Sequence, residues 1–472
     1  MSIEEFGKQI NNVSPSFCIA KWKQVTLHLQ TGQTHSCHHP ISHKIPLEEI
    51  AVNPAALHNT KFKKQQRAMM LNGERPGECD YCWRVEDSKP GALSDRYYKS
   101  YEPWAKKYIH EAAGQPWEAD VKPSYLEVSF SSVCNFKCSY CSPEVSSSWM
   151  EEIKQHGPYP TSGNYGNLEW FKHAGKMPIP HNQDNPYVEA FWKWWPSIYD
   201  SLEYFRITGG EPLLAKDTFK VLDWIKQHPK PDLHLSINSN MCIPDSILTT
   251  FIKDVKEICA DKKVASFEIY TSCEAHGKAA EYIRSGLDYN QWLVNIQRVL
   301  DEIPEVSFVV MSTYNALSIS TYTEFLQDVM AIKQKYGGSS GRFGSFVIDV
   351  PYLRHPPHQA IFILPNSWAE KIKEQVTYMY RNLENSDWIG TFNNGFQKLE
   401  ADRFKRIYEI MAHKQDIGQD AITQHHKDFV AFVDEHDRRR GTNFAETFPE
   451  YLDLYSYWKY NDVNFDHTKL LK

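Results

Sequence analysis

The 472-residue chain, 41% hydrophobic, is long enough for two or three domains with sizeable cores, and its net charge of -7 leaves no overall electrostatic footprint for gripping a nucleic-acid backbone. No charged-then-apolar leader opens the chain and no run of 18 apolar residues occurs in it, so the expectation is a soluble, cytoplasmic protein with no membrane partner. Ten cysteines are few for a disulfide scaffold, and seven of them fall in metal-like spacings.

Four of those seven lie in the first 121 residues. Val25, Leu27 and Leu29 alternate toward Gly32, a hairpin signature, and Cys18 and Cys37 bracket the hairpin as C-x13-G-x4-C. Cys79 and Cys82 add a C-x2-C knuckle after a helical segment near Leu57 to Leu71. The four thiolates can converge, and such a set suits a structural zinc ion as well as an iron-sulfur cluster. His35, His38, His39 and His43 surround Cys37 and read as exposed loop histidines, the alternative being that one of them is a ligand. Residues 83 to 121 are charged and aromatic, with turn signals at Pro90-Gly91 and Gln115-Pro116-Trp117, and read as a linker packed on the core.

From Pro123 onward strands and helices alternate. Strands are predicted at Tyr125 to Phe130, Leu202 to Thr208, Leu233 to Ser239, Val264 to Ser272, Val306 to Thr313 and Phe343 to Val350. Helices are predicted near Tyr187 to Tyr199, Asp217 to Gln227, Pro244 to Cys259, Asn290 to Ile303 and Thr321 to Tyr336. Such alternation implies a parallel sheet with right-handed crossovers, whose chemistry gathers at the C-terminal strand ends. The first strand runs into Cys134, Cys138 and Cys141, spaced C-x3-C-x2-C. Soft thiolates select zinc, copper(I) or iron-sulfur clusters, and three of them leave one position of a four-iron cluster open. After the second strand comes Gly209-Gly210-Glu211-Pro212, after the third Ser239-Asn240-Met241, after the fourth Ser272-Cys273-Glu274 with Arg284 beyond, and after the fifth Asn315.

The three-cysteine loop with Tyr140 at its aromatic position, followed one strand later by Gly-Gly-Glu-Pro, resembles the radical S-adenosylmethionine (radical SAM) enzymes. The resemblance implies a partial (β/α)6 barrel over 122–350. It also implies a 4Fe-4S cluster on Cys134, Cys138 and Cys141 whose open iron chelates S-adenosylmethionine. An electron from a donor such as flavodoxin or ferredoxin would split that cofactor to a 5'-deoxyadenosyl radical, which abstracts a substrate hydrogen. Gly209, Gly210 and Glu211 would then meet the methionine portion. Ser239 and Asn240 stand at the family's Thr-Asn-Gly turn, with Met241 replacing glycine. Ser272 and Glu274 stand at its S-x-D-G element, with Glu for Asp; Arg284 would hold the cofactor carboxylate and Asn315 would touch the ribose or adenine. Cys18, Cys37, Cys79 and Cys82 resemble the shortened, twitch form of the SPASM auxiliary module and imply a second 4Fe-4S cluster over 1–121, although that module normally follows the core. A non-catalytic zinc-binding protein is the alternative of another class.

Within the barrel region, 142–185 is rich in Gly, Pro and Tyr and reads as an inserted loop, a candidate substrate lid. Trp192, Trp194 and Trp195 read as a packing cluster facing another domain. The region 351–472 reads as a helical extension with apolar-periodic stretches near Trp368 to Leu383, Phe404 to Ala412 and Ala421 to Val433. It includes Arg438-Arg439-Arg440-Gly441, which suits a helix C-terminus and its left-handed cap. Cys242 and Cys273 follow strand ends, where a thiol either donates a hydrogen atom to a substrate radical or packs as a small hydrophobe. By family analogy the substrate is expected to be a peptide or amino-acid-like molecule, the alternative being a nucleotide, sugar or other small metabolite.

Overall fold

The computed structural model describes residues 1–337, 346–383, 394–414 and 418–460. Among the described residues there are eleven strands: β1 Gln24–His28, β2 Gln33–His35, β3 His43–Lys44, β4 Tyr125–Ser129, β5 Lys137–Cys138, β6 Tyr204–Thr208, β7 His234–Asn238, β8 Ser266–Ser272, β9 Arg284–Ser285, β10 Val306–Met311 and β11 Phe346–Asp349. The six strands anticipated from Tyr125 onward are β4, β6, β7, β8, β10 and β11, and residues 343–345 of the last expectation lie outside the described residues. The helices expected between them form at Pro186–Ile198, Lys216–Gln227, Asp245–Ala260, Tyr289–Glu302 and Tyr322–Tyr336. The result is a mixed α/β chain whose strands pair largely in parallel. No helix among the described residues is long and apolar enough to cross a membrane.

The chain forms two compact units. The first comprises 1–132, 174–237 and 262–265. In it β7, β6, β4 and β1 run parallel, and β2 and β3 continue the sheet antiparallel. Period-2 alternation gives each parallel strand an apolar face, carried by Val25 and Leu27, Leu126 and Val128, Phe205 and Ile207, all at most 1% exposed. Helix Pro186–Ile198 covers this face: Phe191 packs edge-on against Phe130 at 5.0 Å and Trp195 meets Phe205 at 5.0 Å. The helix also packs against residues 47–57 of the N-terminal segment, but Trp192 stacks on Phe130 and donates to Asp217 Oδ1 at 2.7 Å and Trp195 meets Phe205, so these two tryptophans pack within the unit and do not face another domain as expected.

One arrangement departs from the sequence reading. The hairpin β1–β2 forms as expected, turning at Gly32 with φ +65°, but β1 also pairs in parallel with β4 from Gln24↔Tyr125 to His28↔Ser129. The first 121 residues therefore extend the core sheet by three strands, β1 in parallel and β2 and β3 antiparallel. Alternating apolar residues predict the strand but carry no information about which neighbour it finds.

The second unit comprises 133–173, 238–261 and the described residues from Ser266 onward. Here β8, β10 and β11 pair in parallel, and the short β5 and β9 pair antiparallel. The stretch 142–185, expected as a loop, instead contains helices Ser147–His156 and Leu168–His173. Ser146 caps the first through Trp149 N, and Trp149 and Ile153, four apart, bury one side. The C-terminal region is helical as anticipated, with Ala369–Arg381, Lys398–Ala412 and Gln419–Arg440 as its longer helices.

Candidate active site

The cysteine loop lies in the second unit, and its backbone is held from several sides. Ser148 Oγ donates to Cys134 O at 2.7 Å, Ser146 Oγ to Phe136 O at 2.8 Å and Trp149 Nε1 to Cys138 O at 2.7 Å, all from the first turn of the helix after the loop. Residues remote in sequence complete the frame. Gln359 donates to Ser139 O at 3.1 Å and accepts from Ser139 Oγ at 2.7 Å, Arg440 Nη1 donates to Lys137 O at 2.6 Å, and Tyr165 OH donates to Cys141 O. Ser139 Oγ aside, each of these donors falls on a backbone carbonyl of the loop, and Cys138 O accepts from Cys141 N as well, at 2.9 Å. Burial pushes the Cys138 and Cys141 thiols up, and the neighbouring thiols add to the shift at Cys141. Metal binding, which requires thiolates, is the event that would reverse it.

Behind Cys138 sits a buried polar triad. Arg284 and Glu274 are 6% and 1% exposed. Arg284 Nε and Nη2 reach Glu274 Oε2 at 2.9 and 2.6 Å, Tyr140 OH donates to Glu274 Oε1 at 3.1 Å, and Arg284 Nη1 approaches Cys138 Sγ at 3.5 Å. Arg284 also pairs with Cys138 across the β5–β9 ladder. Burial pushes the Glu274 carboxyl up, with the Arg284 charge opposing it. The guanidinium expected to take a cofactor carboxylate is thus committed to Glu274, Tyr140 and Cys138.

The other strand-end residues fall into turns. In the first unit Gly209 has φ +135°, and a Cβ there would stand 2.9 Å from both Ser129 Oγ and Ser131 O. The glycine is required by the chain's own backbone at the entry to the cysteine loop, where the family resemblance implies a close approach of cofactor. Gly210 N donates to Ser131 O at 3.2 Å, and one Glu211 oxygen accepts from Leu213 N at 3.0 Å. In the second unit Ser239 Oγ accepts from Met241 N at 3.1 Å and Asn240 Oδ1 from Cys242 N at 2.9 Å. Met241 adopts φ +59°, so the turn keeps a left-handed residue where the resembled family has glycine. Asn240 Nδ2 reaches Asn135 Oδ1 at 2.7 Å, tying this turn to the cysteine loop. Asn315 is 1% exposed and bonds Thr313 O and Leu317 N. Ser272 ends β8 opposite Met311. Cys273 is wholly buried and donates to Ala275 O at 3.3 Å, the packing role; Cys242 is half-buried, with Sγ 3.4 Å from Asp288 O.

The four N-terminal cysteines do come together. Cys18, Cys37, Cys79 and Cys82 line one cavity in the first unit, with Lys21 and Arg96 beside them. No three His, Cys, Asp or Glu side chains among the described residues converge on a single-ion site, so a cavity ringed by thiols is what the fold offers. Burial and mutual repulsion push Cys37 up to about 12, and burial with Cys18 does the same for Cys82. Lys21, Lys63 and Arg67 are at most 2% exposed in this region, with Glu78 paired to Lys21. Burial and the Arg67 charge push the Lys63 ammonium well down, so the buried cations lining the cavity are Lys21 and Arg96, each paired with a glutamate; they suit an anionic centre such as thiolates on a metal cluster. The neighbouring histidines are not all exposed loop residues as expected: His35 lies on β2 and is 8% exposed, His43 lies on β3, both are neutral, pushed down to about 3 by burial, and His39 contacts Asp95 at 2.6 Å.

No family model matches the chain. A GTP 3',8-cyclase of Campylobacter jejuni subsp. doylei is 30% identical over 137 residues, 29% of this chain and 32% of that protein. One of Nautilia profundicola is 29% identical over 119 residues, 25% of this chain and 28% of that protein. These relatives share the family that the cysteine loop and Gly-Gly-Glu-Pro turn resemble. These findings support a radical SAM enzyme. It matches about a third or less of the length of these radical SAM relatives. A solved structure of Streptococcus suis SuiB bound to S-adenosylmethionine aligns with a TM-score of 0.35 at 13% identity, over 77% of this chain and 70% of that one. That score is too low to relate the two architectures in detail.

Sequence reasoning misses Arg440, Gln359 and Tyr165, none of which lies in a motif. It reads Arg438 to Arg440 as a cap. Gly441 is indeed the left-handed cap at φ +65°, but Arg440 turns back to Glu152 and Lys137, and Arg439 donates to Gly157 O at 3.0 Å and Pro158 O at 3.1 Å.

Proposed function

We propose that the chain is a radical SAM enzyme that abstracts hydrogen from a peptide or amino-acid-like substrate. Cys134, Cys138 and Cys141 would hold a 4Fe-4S cluster with S-adenosylmethionine, and Cys18, Cys37, Cys79 and Cys82 a second, auxiliary cluster. The observation that carries the reading is the cysteine loop's support: three clustered thiols on a backbone tethered by Ser146, Trp149, Gln359 and Arg440, with the Arg284–Glu274–Tyr140 triad behind Cys138. The bound cluster and S-adenosylmethionine supply reductive formation of a carbon radical. The chain's residues do the rest. Tyr140, Glu274 and Arg284 act as one unit that fixes Cys138 and its charge, and Gly209 and Gly210 let the second strand end close against Ser131. By the family resemblance Glu211, Ser239, Asn240, Ser272 and Asn315 would contact the cofactor when it is bound. The parallel strands from β4 to β11 are read as a partial (β/α)6 barrel over 122–350, preceded by the auxiliary module over 1–121 and followed by the helical extension over 351–472. An external flavodoxin- or ferredoxin-like donor in the cytoplasm supplies the electron.

A nucleotide substrate is the second reading, favoured by the relatives named GTP 3',8-cyclase. Anaerobic reconstitution with iron and sulfide tests the proposal. The expected result is about eight iron atoms per chain, near four after all of Cys18, Cys37, Cys79 and Cys82 are replaced by alanine, and 5'-deoxyadenosine on reduction. Uptake of zinc without iron, or a reduced holoprotein that never cleaves S-adenosylmethionine, would overturn it.

A further inference from the structure

Strands β1, β4, β6 and β7 have a second face, opposite the one covered by helices, and their registers align its residues in rows. Gln24, Tyr125, Tyr204 and His234 form the row at the N-terminal ends. Two residues on lie Thr26, Glu127, Arg206 and Ser236, and two further on His28, Ser129 and Thr208. Aromatic rings close the first row: Tyr125 stacks on Tyr204 at 6.1 Å, Tyr204 on His234 at 4.6 Å, and Trp104 packs on Tyr125 at 5.4 Å. The other two rows carry charges, hydroxyls and an imidazole, with His28 Nε2 3.1 Å from His35 Nε2.

This face holds a concentration of unmet hydrogen-bonding capacity. Gln24 Oε1, Thr26 Oγ1 and Ser129 Oγ, and Gln30 Oε1 just beyond β1, are buried with no hydrogen-bond partner, in residues only 1 to 2% exposed. Nine in ten buried polar groups in folded proteins are satisfied, so several orphans gathered on one side of one sheet mark a place where a ligand completes the bonding. Three of these four belong to the N-terminal segment, and two to β1, the strand that the family's six-strand pattern does not contain. Both glutamine atoms are amide oxygens, which only accept. Glu127 adds a carboxylate between them and Arg206, near enough to interact with His28 and His38.

We propose that β1 reads the substrate, with Gln24 Oε1, Thr26 Oγ1 and Gln30 Oε1 accepting from its N–H groups and Glu127 taking an amide or ammonium. Ser129, under Gly209, marks the cofactor-proximal edge of this surface. The inference rests on the peptide or amino-acid-like reading of the substrate, and narrows it to an extended molecule that presents several N–H donors along one strand.

Two measurements on the Thr26→Val and Gln24→Leu variants test it. Removing an orphaned polar atom costs the free protein nothing, so the apo form should melt at the wild-type temperature or about 2 °C above it. The reconstituted holoprotein should show at least about a tenfold loss of deuterium transferred into 5'-deoxyadenosine from a perdeuterated host peptide fraction. A fall in apo melting temperature of more than about 5 °C makes these groups structural and overturns the proposal. So does label transfer at the wild-type level. Label that comes from perdeuterated GTP instead, and is lost in both variants, keeps β1 as the reading strand and overturns the peptide assignment. A wild type that forms no 5'-deoxyadenosine overturns the radical reading, and the apo melting temperatures still judge the face.

Discussion

Replacing Arg440 by methionine removes a side chain that is 1% exposed and holds three bonds at once. Its Nε and Nη2 each meet a Glu152 oxygen at 3.1 Å, and its Nη1 meets the Lys137 carbonyl at 2.6 Å. Glu152, 3% exposed, would keep Lys137 Nζ at 2.8 Å and Tyr159 OH at 2.8 Å, so its charge is left partly compensated. Breaking a buried pair costs about 3–5 kcal/mol when nothing replaces the partner, and the surviving contacts place this case near 3 kcal/mol. The titration of Glu152 gives a figure of the same order. Burial pushes its carboxyl up, but Arg440, Lys137 and Tyr159 outweigh burial and hold it at about 2, against an ordinary 4.5. A depressed carboxylate stabilises the fold above its unfolded pKa, by about 3 kcal/mol here, and that contribution fades as pH falls from 4.5 through about 2. The variant should therefore melt roughly 5 °C lower at pH 7. The gap should narrow progressively below pH 4.5 as the wild type loses the same contribution. Scanning calorimetry of the apo protein across that range, with Glu152→Gln and the double variant closing the cycle, measures the coupling. Identical melting at pH 7, or a gap that stays constant down to pH 2, would refute both the pair's energetic role and its protonation linkage.

Gly209→Ala should destabilise the apo protein by about 2 kcal/mol or more, because its Cβ meets Ser131 O at 2.9 Å and φ +135° excludes other residues; urea denaturation at an unchanged m-value checks it. Glu274→Gln should cost about 3 kcal/mol in the same assay by leaving Arg284 buried without its counter-charge, whereas Tyr140→Phe should cost about 1 kcal/mol, since the Arg284–Glu274 bonds survive. If the proposed cluster forms on Cys18, Cys37, Cys79 and Cys82, Lys21→Met should shift its potential to more negative values, as loss of a buried cation beside Cys79 disfavours the added electron; a redox titration followed by electron paramagnetic resonance reads it, and an unchanged potential counts against the charge argument.

The alternating strands and helices from Tyr125 onward are legible because each buries one face against its neighbour, so the period is written in the chain. The cysteine and Gly-Gly-Glu-Pro motifs are legible because their residue types have few other uses. What escapes are contacts between segments that carry no local signature. The Arg440–Lys137 bond spans 303 positions, and nothing near Arg440 distinguishes a capping arginine from one that turns inward. The helix Ser147–His156 is hidden because flanking glycines and prolines dominate the composition of 142–185, although Ser146 and the Trp149–Ile153 spacing already spell a capped amphipathic turn. The parallel partner of β1 lies about a hundred residues away and could not be chosen from alternation alone. At Asn315, Ser239 and Glu211 the residue type is right for a site, yet each also serves a local turn, and sequence does not separate the two uses.

The bond between Arg440 and the Lys137 carbonyl sets an order of events during synthesis. The three cysteines leave the ribosome 303 positions ahead of the arginine that completes their frame, and at about 5–20 residues per second that interval lasts roughly 15–60 s. Gln359 arrives earlier, 220 positions after Ser139, so the frame closes in stages. Through that time the loop lacks its remote donors, and its full frame is available only once the helix Gln419–Arg440 has been made.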